Sequence, residues 1–146
     1  IDAALELLGA ELQSRADIVR QYGALPEVEC LPEQLNQVFM SLLVNAEHAF
    51  GKKRGQITIR TGTSQNCVWL EFEDNGCGMS EDVRRRIFDP FFTTKPPGKG
   101  LGLGLSLAYG IVRQHQGKIA VDSVVGRGTR FRITLPIRQD AVEESA

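Results

Sequence analysis

The chain has 146 residues, 42% hydrophobic and 24% charged, which is ordinary globular composition and enough for one domain that closes its own core. A formal net charge of −1 offers no general attraction for a phosphate backbone, which argues against non-specific nucleic-acid binding. No apolar run approaches the ~18 residues of a membrane span, so no membrane contact is expected of this fragment.

Residues 2–15 place Ala4, Leu5, Leu8 and Leu12 on one stripe, which predicts an amphipathic helix. "DIVRQY" follows as a short strand. Pro32 suits the first turn of a helix that runs to Phe50, with Leu35, Val38, Leu42, Ala46 and Ala49 inward and Gly51 as its stop. Ile57, Ile59 and Thr61, then Val68, Leu70 and Phe72, alternate as a hairpin joined through residues 62–66. "SEDVRRRIF" reads as a short helix with Ser80 as its N-cap. Residues 88–104 are loop, and residues 105–116 are a helix with Leu105, Ala108 and Val112 inward. "KIAVDSV" and "TRFRITLPI" close as strands around the turn "GRG". This order predicts a two-layer α/β sandwich, with a mixed, mostly antiparallel sheet and helices on one face. The domain is expected over residues 1–138, with residues 139–146 a polar tail. Cys30, Cys67 and Cys77 lack C-x-x-C spacing and read as reduced cytosolic thiols. A start at Ile1 and no signal-peptide pattern suggest a piece of a longer protein.

Three stretches carry chemistry. On the long helix, Ser41, Asn45 and His48 fall on one flank of the apolar stripe. Asn is a mediocre helix-interior residue, yet its amide oxygen is a neutral, hard ligand suited to magnesium otherwise held by phosphates and water. Alone, that pattern favours an ordinary solvated flank. "EFEDNGCGM" ends a strand with Asp74, an acceptor for an exocyclic amine, beside Gly76 and Gly78, which let a flat base approach the backbone. A common D-N-G turn explains it as well. In "IFDPFFTTKPPGKGLGLGLS", Phe88, Phe91 and Phe92 anchor a loop that carries Lys95, Lys99 and a glycine backbone, an anion site at a helix start. Neither a P-loop nor a dinucleotide-binding G-x-G-x-x-G is present.

In this order the blocks resemble the ATP-binding catalytic domain of sensor histidine kinases. That domain belongs to the GHKL superfamily, shared with gyrase-type topoisomerases, a heat-shock chaperone and mismatch-repair ATPases. "QVFMSLLVNAEHAF" is similar to the family's Asn box, "DNGCGM" to its first glycine box and "FDPFFTTK" to its Phe box. "GKGLGLGLSLAYGIVRQHQGKI" is similar to its second glycine box, and "GRGTRFRITLP" to its closing strand. The resemblance covers about residues 1–137 and implies a Bergerat-type fold that binds ATP and Mg2+. It implies that Asn45 ligates the magnesium between the phosphates and that Asp74 bonds the adenine amine, with Gly76 and Gly78 shaping the pocket and Thr129 near the base. His48 would reach the phosphates. Phe92, Lys95, Lys99, Gly100, Leu101, Gly102, Leu103 and Gly104 would form the lid over the triphosphate.

Two positions depart from the family pattern. Ser41 stands where a first Asn is frequent, and Leu101 where a Thr is frequent. The ATP-hydrolysing relatives hold a Glu general base at the position of Ser41. Glu47 cannot replace it, because two residues past Asn45 it points about 200° around the helix. Hydrolysis is thereby disfavoured, whereas transfer to a histidine needs no such base, the acceptor imidazole being itself the nucleophile. Neither His48 nor His115 looks like that acceptor, and His115 reads as structural. The acceptor is expected on a dimerising helical hairpin before Ile1, with a response regulator as the further partner, in a cytoplasmic domain of a sensor that is membrane-anchored or not. Two other readings stay open, a related serine/threonine kinase and a nucleotide-sensing module without phosphotransfer.

Overall fold

A computed structural model describes residues 2–26, 28, 30–51, 53–90 and 104–138. Helix α1 (Asp2–Arg15) leads into β1 (Ala16–Tyr22), and α2 (Pro32–Ala49) into the hairpin of β2 (Gly55–Ser64) and β3 (Cys67–Asp74). The short helix α3 (Glu81–Arg86) comes next, and α4 (Gly104–Gln114) precedes the closing pair β4 (Lys118–Val124) and β5 (Gly128–Pro136). The strands form one sheet in the order β1-β2-β3-β5-β4. β1 is parallel to β2, and every other pairing is antiparallel. The mixed sheet follows from connection length: a parallel pair needs a crossover, and α2 supplies it between β1 and β2.

Strand alternation sorts the two faces. Ile57, Ile59, Leu70, Phe72, Phe131 and Ile133 are buried on one face, against Leu35, Val38, Phe39, Leu42, Leu43 and Ala46 of α2 and Ala108 and Val112 of α4. Each such large side chain contributes about 1.5–3 kcal/mol when fully buried, so this face holds the layers together. The Phe39 and Phe72 rings stack across it at 5.7 Å. The other face is an ion-pair lattice. Arg60 meets Glu73 at 2.6 Å, Arg132 meets Glu71 at 2.6 Å and lies over the Trp69 ring, and Arg130 meets Asp122 at 3.2 Å. That polarity explains why helices cover one face only.

The elements fall where periodicity placed them, with three differences. The hairpin is tighter than residues 62–66 suggested: β2 continues to Ser64, β3 begins at Cys67, and Gln65 turns the chain at φ 55°. Gly62 is not a turn residue; it pairs with Trp69, and a Cβ there would run into the indole ring. Helix α4 stops at Gln114, short of 116, because Gln116 adopts φ 62° and the Gly117 N–H reaches back to the Val112 carbonyl at 2.9 Å. Helix α1 is broken at Gly9, whose φ of 51° and ψ of −137° only glycine adopts readily. The caps of α2 and α3 are as expected: Pro32 opens α2, Gly51 leaves it at φ 62°, and the Ser80 hydroxyl accepts the Val83 N–H.

Candidate functional site

The insertion of β5 between β3 and β4 puts residues from distant parts of the sequence in one row. Asp74, the last residue of β3, stands opposite Thr129, and Thr129 opposite Ser123 of β4. Asp74 is 5% exposed and accepts the Gly76 N–H at 2.9 Å. Burial pushes its carboxyl up to about 6; backbone hydrogen bonds from Gly76 and Thr129 oppose the rise, and the charge of Glu73 adds to it. A carboxyl buried at a strand end beside two backbone donors is a hydrogen-bond acceptor with capacity for a further donor. The Thr129 hydroxyl is also buried and lies 2.8 Å from the Ser123 Oγ.

The loop that leaves Asp74 is strapped at both sides. The Asn75 side chain accepts the Gln56 N–H at 2.8 Å. The Cys77 N–H donates to the Ala49 carbonyl at 2.9 Å, and the Cys77 carbonyl accepts the Gly126 N–H at 2.7 Å. These straps account for the glycines. A Cβ on Gly76 would lie 2.6 Å from the Ala49 Cβ, and Gly78, at φ 72°, sits against the Val124 carbonyl. Both let backbone pack on backbone, at the end of α2 and at the β4–β5 turn. The Cys77 side chain is exposed.

Along α2, Ser41 and Asn45 are half-buried and His48 is exposed. Ser41, Asn45 and Ala49 are successive i, i+4 positions on one flank, about 12 Å from end to end. Ala49 touches Gly76 at one end of that flank, and at the other the Ser41 Oγ is 3.7 Å from where a Cβ on Gly104 would lie. Asn45 therefore lies midway between the Asp74 loop and the start of α4. Glu47 points elsewhere: it is buried, with Oε2 3.7 Å from Arg15 Nη1, and Arg15 also bonds the Gly51 carbonyl. His115 is 4% exposed, its Nδ1 2.9 Å from the Ile111 carbonyl and its Nε2 accepting the Leu31 N–H at 3.1 Å. Those contacts suit the neutral tautomer protonated at Nδ1 and give His115 the structural role expected. Phe88 rests on Tyr109 and Phe131, with ring centroids at 5.2 and 6.2 Å. Phe91, Phe92, Lys95, Lys99, Gly100, Leu101, Gly102 and Leu103 lie outside the described residues.

The row of polar residues, the strapped loop and the α2 flank form one continuous polar surface, with the buried Asp74 carboxyl at one end and the start of α4 at the other. A family model described as histidine kinase-, DNA gyrase B-, and HSP90-like ATPase matches residues 30–139. The chain belongs to that ATPase family. Among curated proteins similar to it, sporulation kinase E of Bacillus subtilis (strain 168) is 38% identical over 144 residues, covering 95% of this chain. The signal transduction histidine-protein kinase AtoS of Escherichia coli (strain K12) is 42% identical over 130 residues, covering 88% of this chain. The chain spans only 19% and 21% of their lengths. A solved catalytic domain of histidine kinase ThkA, in a nucleotide-free form, superposes with a TM-score of 0.83 at 27% identity, over 95% of this chain and 91% of that one. The family expected from the motifs is thus borne out, as is the open α/β sheet with its helices on one face. Sequence reasoning missed Ser123, which completes this polar row. Alternation around the "GRG" turn places it opposite Thr129, a signal that was there to read.

Proposed function

We propose that this chain is the catalytic domain of a sensor histidine kinase, which binds Mg-ATP and transfers the γ-phosphoryl group to a histidine on a separate acceptor domain. The observation that supports this most is the α2 flank, with the Asp74 loop at Ala49, the start of α4 at Ser41, and Asn45 between them. In this reading Asp74 accepts a hydrogen bond from the adenine amine, with Thr129 beside it and Gly76 and Gly78 holding the loop that borders the base. The triphosphate runs along α2 toward Gly104. His48 offers one hydrogen bond to it, and Phe92, Lys95, Lys99, Gly100, Leu101, Gly102 and Leu103 belong to the covering lid.

Asn45 is the magnesium ligand in this reading. Among the described residues no group of three His, Cys, Asp or Glu is placed to hold a metal, so this donor set fits an ion that brings phosphate and water oxygens with it. Bound there, Mg2+ would neutralise charge on the phosphates and orient the terminal one. The chain's own contribution is positioning: it holds the base and exposes the γ-phosphorus to an imidazole nitrogen, whose lone pair forms the N–P bond as the P–O bond to ADP breaks. Ser41 has no carboxylate to activate water and Glu47 is engaged by Arg15, which favours transfer over hydrolysis. His115 is enclosed and His48 lies on the flank assigned to ATP, so the acceptor belongs to another domain. A helical hairpin carrying it and a cytoplasmic response regulator are the proposed partners.

The test is to incubate the parent protein with γ-labelled ATP. Acid-labile, base-stable label on a histidine outside this domain is the expected result. Acid-stable label would make the protein a serine/threonine kinase, and ATP binding without label would make it a nucleotide sensor; either overturns the proposal.

A further inference from the structure

We infer that Ser123 is a positioning residue for base recognition: it fixes the direction of the Thr129 hydroxyl proton, and so makes Thr129 an acceptor beside Asp74. The inference rests on the adenine reading of the Asp74 pocket. Ser123, Thr129 and Asp74 form one row across β4, β5 and β3, while the next row along is apolar, with Val121, Phe131 and Phe72. A polar row at the end of an apolar face must satisfy itself or a ligand.

The Ser123 Oγ has three neighbours. It accepts the Met79 N–H at 2.7 Å, lies 3.0 Å from the Gly128 carbonyl oxygen and lies 2.8 Å from the Thr129 Oγ1. A hydroxyl has one proton and two lone pairs. An amide N–H only donates and a carbonyl only accepts, so these two contacts take one lone pair and the proton. A single lone pair remains for Thr129, whose own hydroxyl proton must point to it. The Thr129 oxygen then turns lone pairs, not its proton, toward Asp74, whose ionised carboxylate also only accepts. Two acceptors side by side suit a purine amino group, which brings two N–H donors. They repel a purine carbonyl at the same position, where acceptor would face acceptor. Without Ser123 the Thr129 hydroxyl can rotate and donate, and that repulsion is relieved.

The experiment measures the affinity of the chain for ATP and for ITP, which carries a carbonyl where ATP has the amine, by calorimetric titration. In Ser123→Ala the ATP:ITP affinity ratio is expected to fall by at least about tenfold, through weaker ATP and stronger ITP binding. Ser123→Thr, which keeps the hydroxyl, is expected to restore it. If Ser123 only ties the loop at Met79, both nucleotides weaken by one factor and the ratio stays unchanged; that result overturns the inference. Should Ser123→Ala fail to fold, Thr129→Val removes the hydroxyl that Ser123 orients, and the same fall in ratio is expected. A wild-type chain with no preference for ATP would instead overturn the adenine reading beneath it, so the two failures are distinguishable.

Discussion

At the scale of single residues, Asp74 carries two opposed demands. Its burial raises the carboxyl to about 6 from an ordinary value of 3.8, yet adenine binding needs the ionised form as an acceptor. Because the native value lies above the unfolded one, the group's contribution to stability is complete below the unfolded value and lost as pH rises through about 6. Near neutral pH the unliganded domain therefore holds a charge that costs it on the order of 1–3 kcal/mol. Asp74→Asn removes that charge and keeps an oxygen for the Gly76 N–H. Without nucleotide, the variant is expected to melt a few degrees above wild type at about pH 7, with the difference closing toward pH 4. ATP affinity of the wild type is expected to fall about tenfold for each unit below pH 6, and that of the variant to stay flat. Circular-dichroism melts and titrations across pH check both, and a variant that melts lower at neutral pH would contradict the first. The strand-end position made Asp74 legible from sequence. Its burial was not, because the covering atoms come from β5 and from the loop after it.

At the scale of elements, period and punctuation read well where a residue answers to its own neighbours and poorly where it answers to distant ones. The α2 stripe, Pro32, Gly51 and the Ser80 cap were all visible locally. Gly62 looked like a turn and is a slot for Trp69; Gly76 and Gly78 looked like base-pocket glycines and are first of all contact points between backbones. This distinction gives a paired expectation for two glycines. Gly78→Ala puts a side chain at φ 72° against the Val124 carbonyl and is expected to lose about 2–3 kcal/mol in urea unfolding, unfastening the loop that carries Asp74. Gly110→Ala, exposed in α4 with open space around it, is expected to gain up to about 1 kcal/mol. Equal effects of the two would show that the strap carries no strain of its own.

For the whole molecule, the helix layer and the sheet are joined through their apolar faces, and the candidate site lies where that joint gives way to polar groups. One wall is the end of β3 with β5 and β4; the other is the flank of α2. Sequence reading found both walls as motifs, and a mixed sheet from connection lengths. It did not find that β5 enters between β3 and β4, since register across a sheet is a long-range property with no local period. Yet that entry is what sets Ser123, Thr129 and Asp74 in a row. A ligand that spans the walls should stabilise the fold by mass action, by about 2.7 kcal/mol at a hundredfold excess over its dissociation constant. The most direct measurement is the melting temperature of wild type and Asp74→Asn, each with and without Mg-ATP. Wild type is expected to rise clearly with the nucleotide, while the variant starts higher and rises little. An equal rise in both would contradict a nucleotide site built on Asp74.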